Sequence, residues 1–215
     1  MDYILMDLDG TITNPKQGIT KSVQYALKAM GIIIEDLDSL TKHIGPPLKD
    51  GFLEDYGFTE EEADRAVEKY REFYMAHGIF DNEPYEGIDR LLAGWKAAGK
   101  SIIVATSKPE PLARRILEHF GLEVYFTDIC GATFDDQRSR KAEVIRYALE
   151  KNGISDLARV VMVGDRKYDT AGAKEVGIAS VGVLYGFGSR EELAEAGADR
   201  IVETVEELYK VVLEL

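Results

Sequence analysis

Asp7 and Asp9 stand two residues apart in Ile4-Leu5-Met6-Asp7-Leu8-Asp9-Gly10-Thr11, where an apolar run ends. In extended backbone, residues i and i+2 share a face, so the two carboxylates converge if the strand continues through them. Gly10 then frees the chain to turn sharply. Neighbouring acids oppose each other's ionisation unless a cation or a shared proton compensates. Metal binding and proton transfer are the two kinds of chemistry that supply this. The plainer alternative is a strand ending in a polar turn, where Asp and Gly are common.

Three further polar groups follow along the chain. Thr106-Ser107-Lys108 comes after Ile102-Ile103-Val104-Ala105, and Gly164-Asp165-Arg166-Lys167-Tyr168-Asp169 comes after Val160-Val161-Met162-Val163. Lys141 opens a helical segment between them. Singly, Thr106 and Ser107 read equally well as helix caps, Lys141 as a solvated lysine, and Asp165 and Asp169 as a cap and a surface acid. Their shared placement after strands makes those readings hard to hold together. In parallel α/β sheets, ligands bind outside the carboxyl ends of the strands. That edge would gather four acids, two hydroxyls and a lysine. Such an oxygen-rich set, without a His or Cys cluster, suits Mg²⁺. A phosphoryl group needs positive charge around its oxygens and an in-line nucleophile. Lys141, Thr106, Ser107 and the metal can stabilise that charge. One carboxylate can attack phosphorus to give an aspartyl-phosphate, and another can move the proton.

The elements that must position these groups alternate regularly from residue 101 onward. The pattern predicts strands at 101–105, 124–130, 159–163, 178–183 and 200–203. Between and after them it predicts helices at 111–120, 141–152, 169–176, from Ser189, and at 205–213. Ser189 with Glu192 has the spacing of a capping box. This alternation predicts a Rossmann-like, three-layer α/β core with a parallel sheet. The stretch between the first strand and residue 101 is too long for a simple crossover. It carries a helix capped at Thr20 and running to Met30, Gly45-Pro46-Pro47 as punctuation, and a helix opened by a Thr59–Glu62 capping box and running to about Ala76. Residues 15–82 are therefore predicted to be a small helical cap inserted after strand 1. Residues 1–14 and 83–215 form the core, with a helix at 89–98 leading back into the sheet. Hinges are expected near Asn14-Pro15 and Asn82-Glu83-Pro84.

In this ordered set the chain resembles the haloacid dehalogenase-like hydrolase superfamily, and within it the phosphoglycolate-phosphatase-like branch with a type 1 helical cap. Asp7-Leu8-Asp9-Gly10-Thr11 matches the first motif, Thr106-Ser107 the second, Lys141 the third, and Gly164-Asp165 with Asp169 the fourth. Gly45-Pro46-Pro47-Leu48 is similar to a cap segment of that branch. The resemblance implies Asp7 as nucleophile and Asp9 as general acid/base. It implies Mg²⁺ held by Asp7, the Asp9 carbonyl and Asp165, with Asp169 direct or through water. Thr106 and Lys141 would hold the transferring phosphate. Members that cleave carbon–halogen bonds lack the second acid, so Asp9 turns the expectation to a phosphatase of a small phosphorylated metabolite, of phosphoglycolate or 5′-nucleotide type. A sugar phosphomutase is the alternative within the superfamily, although its cap signature is not evident in Thr13-Asn14-Pro15-Lys16.

Composition bounds the remaining readings. The 215 residues carry 45% apolar and 30% charged side chains and a net charge of −13. That acidity argues against nucleic acid as a partner and requires local positive charge or a metal at any phosphate site. No run is long enough to span a membrane, and the first residues lack a secretory pattern, which predicts a cytoplasmic protein. The single cysteine, Cys130, excludes an internal disulfide and is expected to be a buried apolar residue. His43, His77 and His119 lack metal-ligand spacing, and Trp95 is expected in the core. A receiver-like signalling module would place its acids and phospho-acceptor on different strands and would have no large cap. A non-catalytic phosphate-binding protein would not need acids at every motif. Gly182, Gly186 and Gly188 do not form a dinucleotide fingerprint and read as turn glycines. Arg166 and Lys167 flank the last acids and are candidates to touch substrate.

Overall fold

The computed structural model describes residues 1–135 and 137–215. Its larger unit, Met1–Asn14 with Pro84–Leu215, is built on a parallel six-stranded sheet. The strands are β1 (Tyr3–Met6), β4 (Ser101–Pro109), β5 (Asp128–Ala132), β6 (Val160–Gly164), β7 (Ala179–Val183) and β8 (Arg200–Val202). Two short strands, β2 (Thr13–Asn14) and β3 (Glu83–Pro84), pair separately. The sheet order is β5-β4-β1-β6-β7-β8. The chain winds outward from β1 in one direction and then the other, so a topological switch point lies at β1. This is the α/β Rossmann-like core that the alternation predicts.

Ile4, Leu5, Met6, Ile102 to Ala105 and Val160 to Val163 are all fully buried, as expected for strands covered on both faces. One face is filled by Leu5, Ile103, Ala105, Cys130 and Met162. Val144, Ile145, Ala148 and Leu149 of α6 (Lys141–Lys151) and Ala173 of α7 (Lys167–Val176) pack against them. Elsewhere in the unit, α4 (Ile88–Ala97) packs on α9 (Val205–Glu214). The buried Trp95 of α4 donates from Nε1 to the Tyr209 carbonyl at 3.3 Å. Helices α5 (Glu110–His119) and α8 (Arg190–Ala196) complete the unit. Ser189 caps α8 by accepting from the Glu192 N–H at 3.1 Å. His119 stacks edge-on against Phe120.

The second unit, Pro15–Glu83, is helical. It contains α1 (Lys16–Ala29), a 3₁₀ turn at Leu37–His43, α2 (Leu48–Tyr56), α3 (Glu60–Phe73) and a π turn at Tyr74–Gly78. Gly45-Pro46-Pro47 separates the 3₁₀ turn from α2. The α3 capping box is reciprocal: Thr59 Oγ1 accepts from the Glu62 N–H at 3.3 Å, and Glu62 accepts from the Thr59 N–H at 2.9 Å.

Three local expectations are corrected. Thr20 does not cap α1, which begins four residues earlier; its hydroxyl donates to the Lys16 carbonyl inside the helix at 2.7 Å. Residues 124–130 are not one strand: Glu123–Tyr125 is a 3₁₀ turn, and β5 begins at Asp128. Strand β4 continues to Pro109, so Thr106-Ser107-Lys108 lies within it rather than after it.

Candidate active site

Parallel register determines where the acids fall. Met6 pairs with Val104 on one side and Val163 on the other. Asp7, immediately beyond Met6, therefore emerges level with Ala105 and Gly164. Its N–H donates to the Val163 carbonyl at 2.9 Å, and its Oδ1 accepts from the Leu8 N–H at 2.8 Å. Asp165 follows β6 directly, and Asp169 lies in the first turn of α7. Asp7, Asp165 and Asp169 are buried, and each offers a carboxylate oxygen within 4.8 Å of the others.

Lys141, at the first position of α6, is buried beside this triad. Its ammonium lies 2.9 Å from Asp7 Oδ1 and 2.8 Å from Asp169 Oδ1, and it donates to the Ala105 carbonyl at 3.1 Å. Asp165 Oδ2 accepts from the Phe187 N–H at 2.8 Å, and Oδ1 accepts from the Thr11 hydroxyl at 3.4 Å. Asp169 Oδ2 accepts from the Arg166 N–H at 3.1 Å. Gly10 has φ +85°, and a Cβ there would lie 2.2 Å from Asp165 Oδ2. Only glycine allows this turn and this close approach together.

The electrostatics follow from burial. Desolvation, reinforced by the charges of Asp169 and Asp7, pushes the Asp165 carboxyl well above the usual carboxylate range. Burial also pushes Asp169 up to about 6, against the pull of Lys141. For Lys141, burial works against the ammonium, but Asp169 and Asp7 outweigh it and its pKa rises above the ordinary lysine value. Burial raises Asp9 further than Lys108 lowers it. When ionised, the four buried carboxylates outnumber the two buried ammonium groups, so their ionisation brings a deficit of positive charge. An oxygen-only donor set with this deficit fits a hard divalent cation. Asp7, Asp165 and Asp169 are the residues that would hold it.

The remaining sequence candidates divide. Thr106 is buried on β4 at the same edge, its Oγ1 accepting from the Lys108 N–H at 3.2 Å. Ser107 is half-buried on the alternate side of the strand and bonds none of the four acids among the described residues. Arg166 is occupied by an ion pair from Nε to Glu192 Oε1 at 2.9 Å. The Lys167 N–H donates to the same carboxylate oxygen at 2.9 Å.

Sequence reasoning missed two parts of the site. Lys108 is buried and ion-paired to Asp9 Oδ2. Its signal was the i, i+2 relation to Thr106, which places both on one face in extended backbone. The segment after β7 was also missed. Besides the Phe187 N–H, it supplies the Tyr185 hydroxyl, which donates to the Thr11 carbonyl at 3.1 Å. Gly186, read as a turn glycine, is required by contact: a Cβ there would lie 2.4 Å from Asp165 Cβ.

A family model described as haloacid dehalogenase-like hydrolase matches residues 4–183. This chain belongs to that family. The hydrolase is 45% identical over 190 residues to a 5′-nucleotidase of Pseudomonas aeruginosa, covering 88% of this chain and 86% of the relative. It is 39% identical over 208 residues to the tyrosine-protein kinase PtkA of Mycobacterium tuberculosis, covering 95% of this chain and 70% of the relative. Among solved structures, it superposes with a TM-score of 0.96 on one described as a predicted phosphatase from Clostridium acetobutylicum. That protein is 49% identical, with 100% of this chain and 99% of the other covered. No helix of the hydrolase, among the described residues, is long and apolar enough to cross a membrane.

Proposed function

We propose that this hydrolase is a Mg²⁺-dependent phosphatase that cleaves a small phosphomonoester through a phosphorylated Asp7. The observation that carries the reading is the buried triad of Asp7, Asp165 and Asp169, with oxygens within 4.8 Å, bridged on one side by Lys141. When bound, the metal supplies charge neutralisation at the phosphoryl oxygens. Asp7 is held by the Leu8 N–H and Lys141, which fix its orientation for attack on phosphorus. Lys141 and the Thr106 hydroxyl lie at the same strand edge and bind the phosphoryl oxygens. Asp9 gives a proton to the leaving alcohol and then takes one from water. Residues 15–82 serve as the cap that selects the substrate.

The extent of identity to the 5′-nucleotidase favours a nucleoside 5′-monophosphate as substrate. A panel of phosphomonoesters containing nucleoside 5′-monophosphates, phosphoglycolate and sugar phosphates, ranked by kcat/KM with and without Mg²⁺, tests this. A 5′-nucleotide should rank first, with turnover lost without metal. A flat ranking would remove the substrate class. Phosphoryl transfer from ATP to tyrosine, with no release of phosphate from any ester, would replace hydrolysis by the reaction that PtkA's name describes.

A further inference from the structure

Lys108 has no role in the proposed chemistry so far, yet it is buried against the residue that handles the proton. Its ammonium contacts Asp9 Oδ2, and both side chains are nearly inaccessible. The other oxygen, Asp9 Oδ1, is buried and has no hydrogen-bond partner among the described residues. A carboxylate in water has two equivalent oxygens, and rotation about its last torsion exchanges them. Here an ammonium, which only donates, occupies one of them. A proton on Asp9 therefore sits on Oδ1. Lys108 is itself fixed: it lies in β4, where pairing with β5 becomes irregular between Thr106 and Pro109, and its N–H is bonded to Thr106 Oγ1.

We propose that Lys108 is a positioning residue that locks the Asp9 carboxylate so that Oδ1 carries the transferable proton. The proposal rests on the phosphatase reading. In the first half-reaction, an Asp7 oxygen forms a bond to phosphorus as the ester P–O bond breaks. The electron pair of that bond goes to the alcohol oxygen, which takes the proton from Asp9 Oδ1. In the second, water attacks phosphorus, its proton passes to Oδ1, and the Asp7 carboxylate leaves. Ester and water become alcohol and phosphate, and Asp9 ends protonated as it began.

The dependence on leaving group separates this role from a structural one. A nitrophenolate departs as a stable anion, whereas an alkoxide needs the proton as it leaves. The experiment measures kcat/KM for p-nitrophenyl phosphate and for adenosine 5′-monophosphate, an alkyl ester, in the Mg²⁺-loaded parent and in Lys108→Met, Lys108→Arg and Asp9→Asn. The ratio of the two rates is taken within each preparation, so partial unfolding cancels. Lys108→Met should lose at least about ten-fold more on the alkyl ester than on the aryl ester, within the roughly 10²–10⁴ that acid–base catalysis contributes. Lys108→Arg should recover part of that ratio. An equal loss on both esters in Lys108→Met, while Asp9→Asn is selective for the alkyl ester, would overturn the Lys108 proposal alone. An equal loss in Asp9→Asn would overturn the acid/base reading, and the Lys108 proposal with it.

Discussion

Asp7 and Asp9 share a strand end but meet different partners, Lys141 for the first and Lys108 for the second. That difference underlies their proposed division of labour. Asp9→Asn keeps the shape and removes the transferable proton, so turnover of an alkyl phosphate should fall by about 10²–10⁴; normal steady-state turnover would exclude the role. At this scale the motif acids and Lys141 were legible as candidates, because charge and position at a strand end or helix start sufficed to pick them out. Lys108 was not singled out, since lysine is usually solvated and its burial depends on β4 running on to Pro109. His43 gives a residue-scale prediction remote from the chemistry. It is buried, with Nε2 3.3 Å from the Tyr56 hydroxyl and 3.5 Å from Asp55, and burial lowers its pKa to about 4, with Asp55 pulling the other way and Lys42 adding to the drop. In the unfolded chain the ring titrates near its usual value of about 6.5. Between these values the unfolded state binds more protons, so stability rises with pH across the window and is lost as pH falls from about 6.5 through 4. His43→Gln should flatten that slope in urea unfolding measured at several pH values; an unaltered slope would contradict it.

The elements that carry the site were read with uneven success, for physical reasons. The α6 face of Val144, Ile145, Ala148 and Leu149 has a clear helical period, and those residues do meet the sheet. Capping needs geometry as well as spacing. Thr59 and Glu62 form the reciprocal box, whereas Thr20, equally suited by type, bonds back to Lys16 within α1. Thr59→Ala should cost about 1 kcal/mol of stability, read by denaturant unfolding; no change would show that the box contributes nothing there. The segment after β7 was the least legible, because its role is made by backbone contacts to Asp165. Gly186→Ala places a methyl against Asp165 and the Gly10 carbonyl. It should raise the Mg²⁺ concentration for half-maximal activity by about ten-fold, on the scale of lost support for a metal ligand. An unchanged metal dependence would show that the segment does not hold the ligand in place.

Taken whole, the fold resolves an apparent conflict between a chain of net charge −13 and an anionic substrate. The acids that matter are concentrated at the switch point beside β1, where two lysines offset their charge and the proposed divalent cation would reverse it locally. The parallel sheet was legible from alternation alone, since nearly unbroken apolar strands separated by helices have few other arrangements. What the switch point gathers from residues 7 to 169 was legible only as strand-end positions, because register decides which side chains touch. Removing the metal with EDTA should stop turnover, and excess Mg²⁺ should restore it; a rate indifferent to chelation would exclude the metal. In the proposed reaction Asp7 becomes phosphorylated. Rapid quenching during turnover, followed by borohydride reduction and mass measurement of the peptides, reads it directly, because an aspartyl-phosphate is reduced to homoserine. Homoserine should appear at position 7, dependent on substrate and Mg²⁺. Homoserine at Asp9, Asp165 or Asp169 instead, or none at position 7 in an enzyme trapped during the burst of its first turnover, would contradict it.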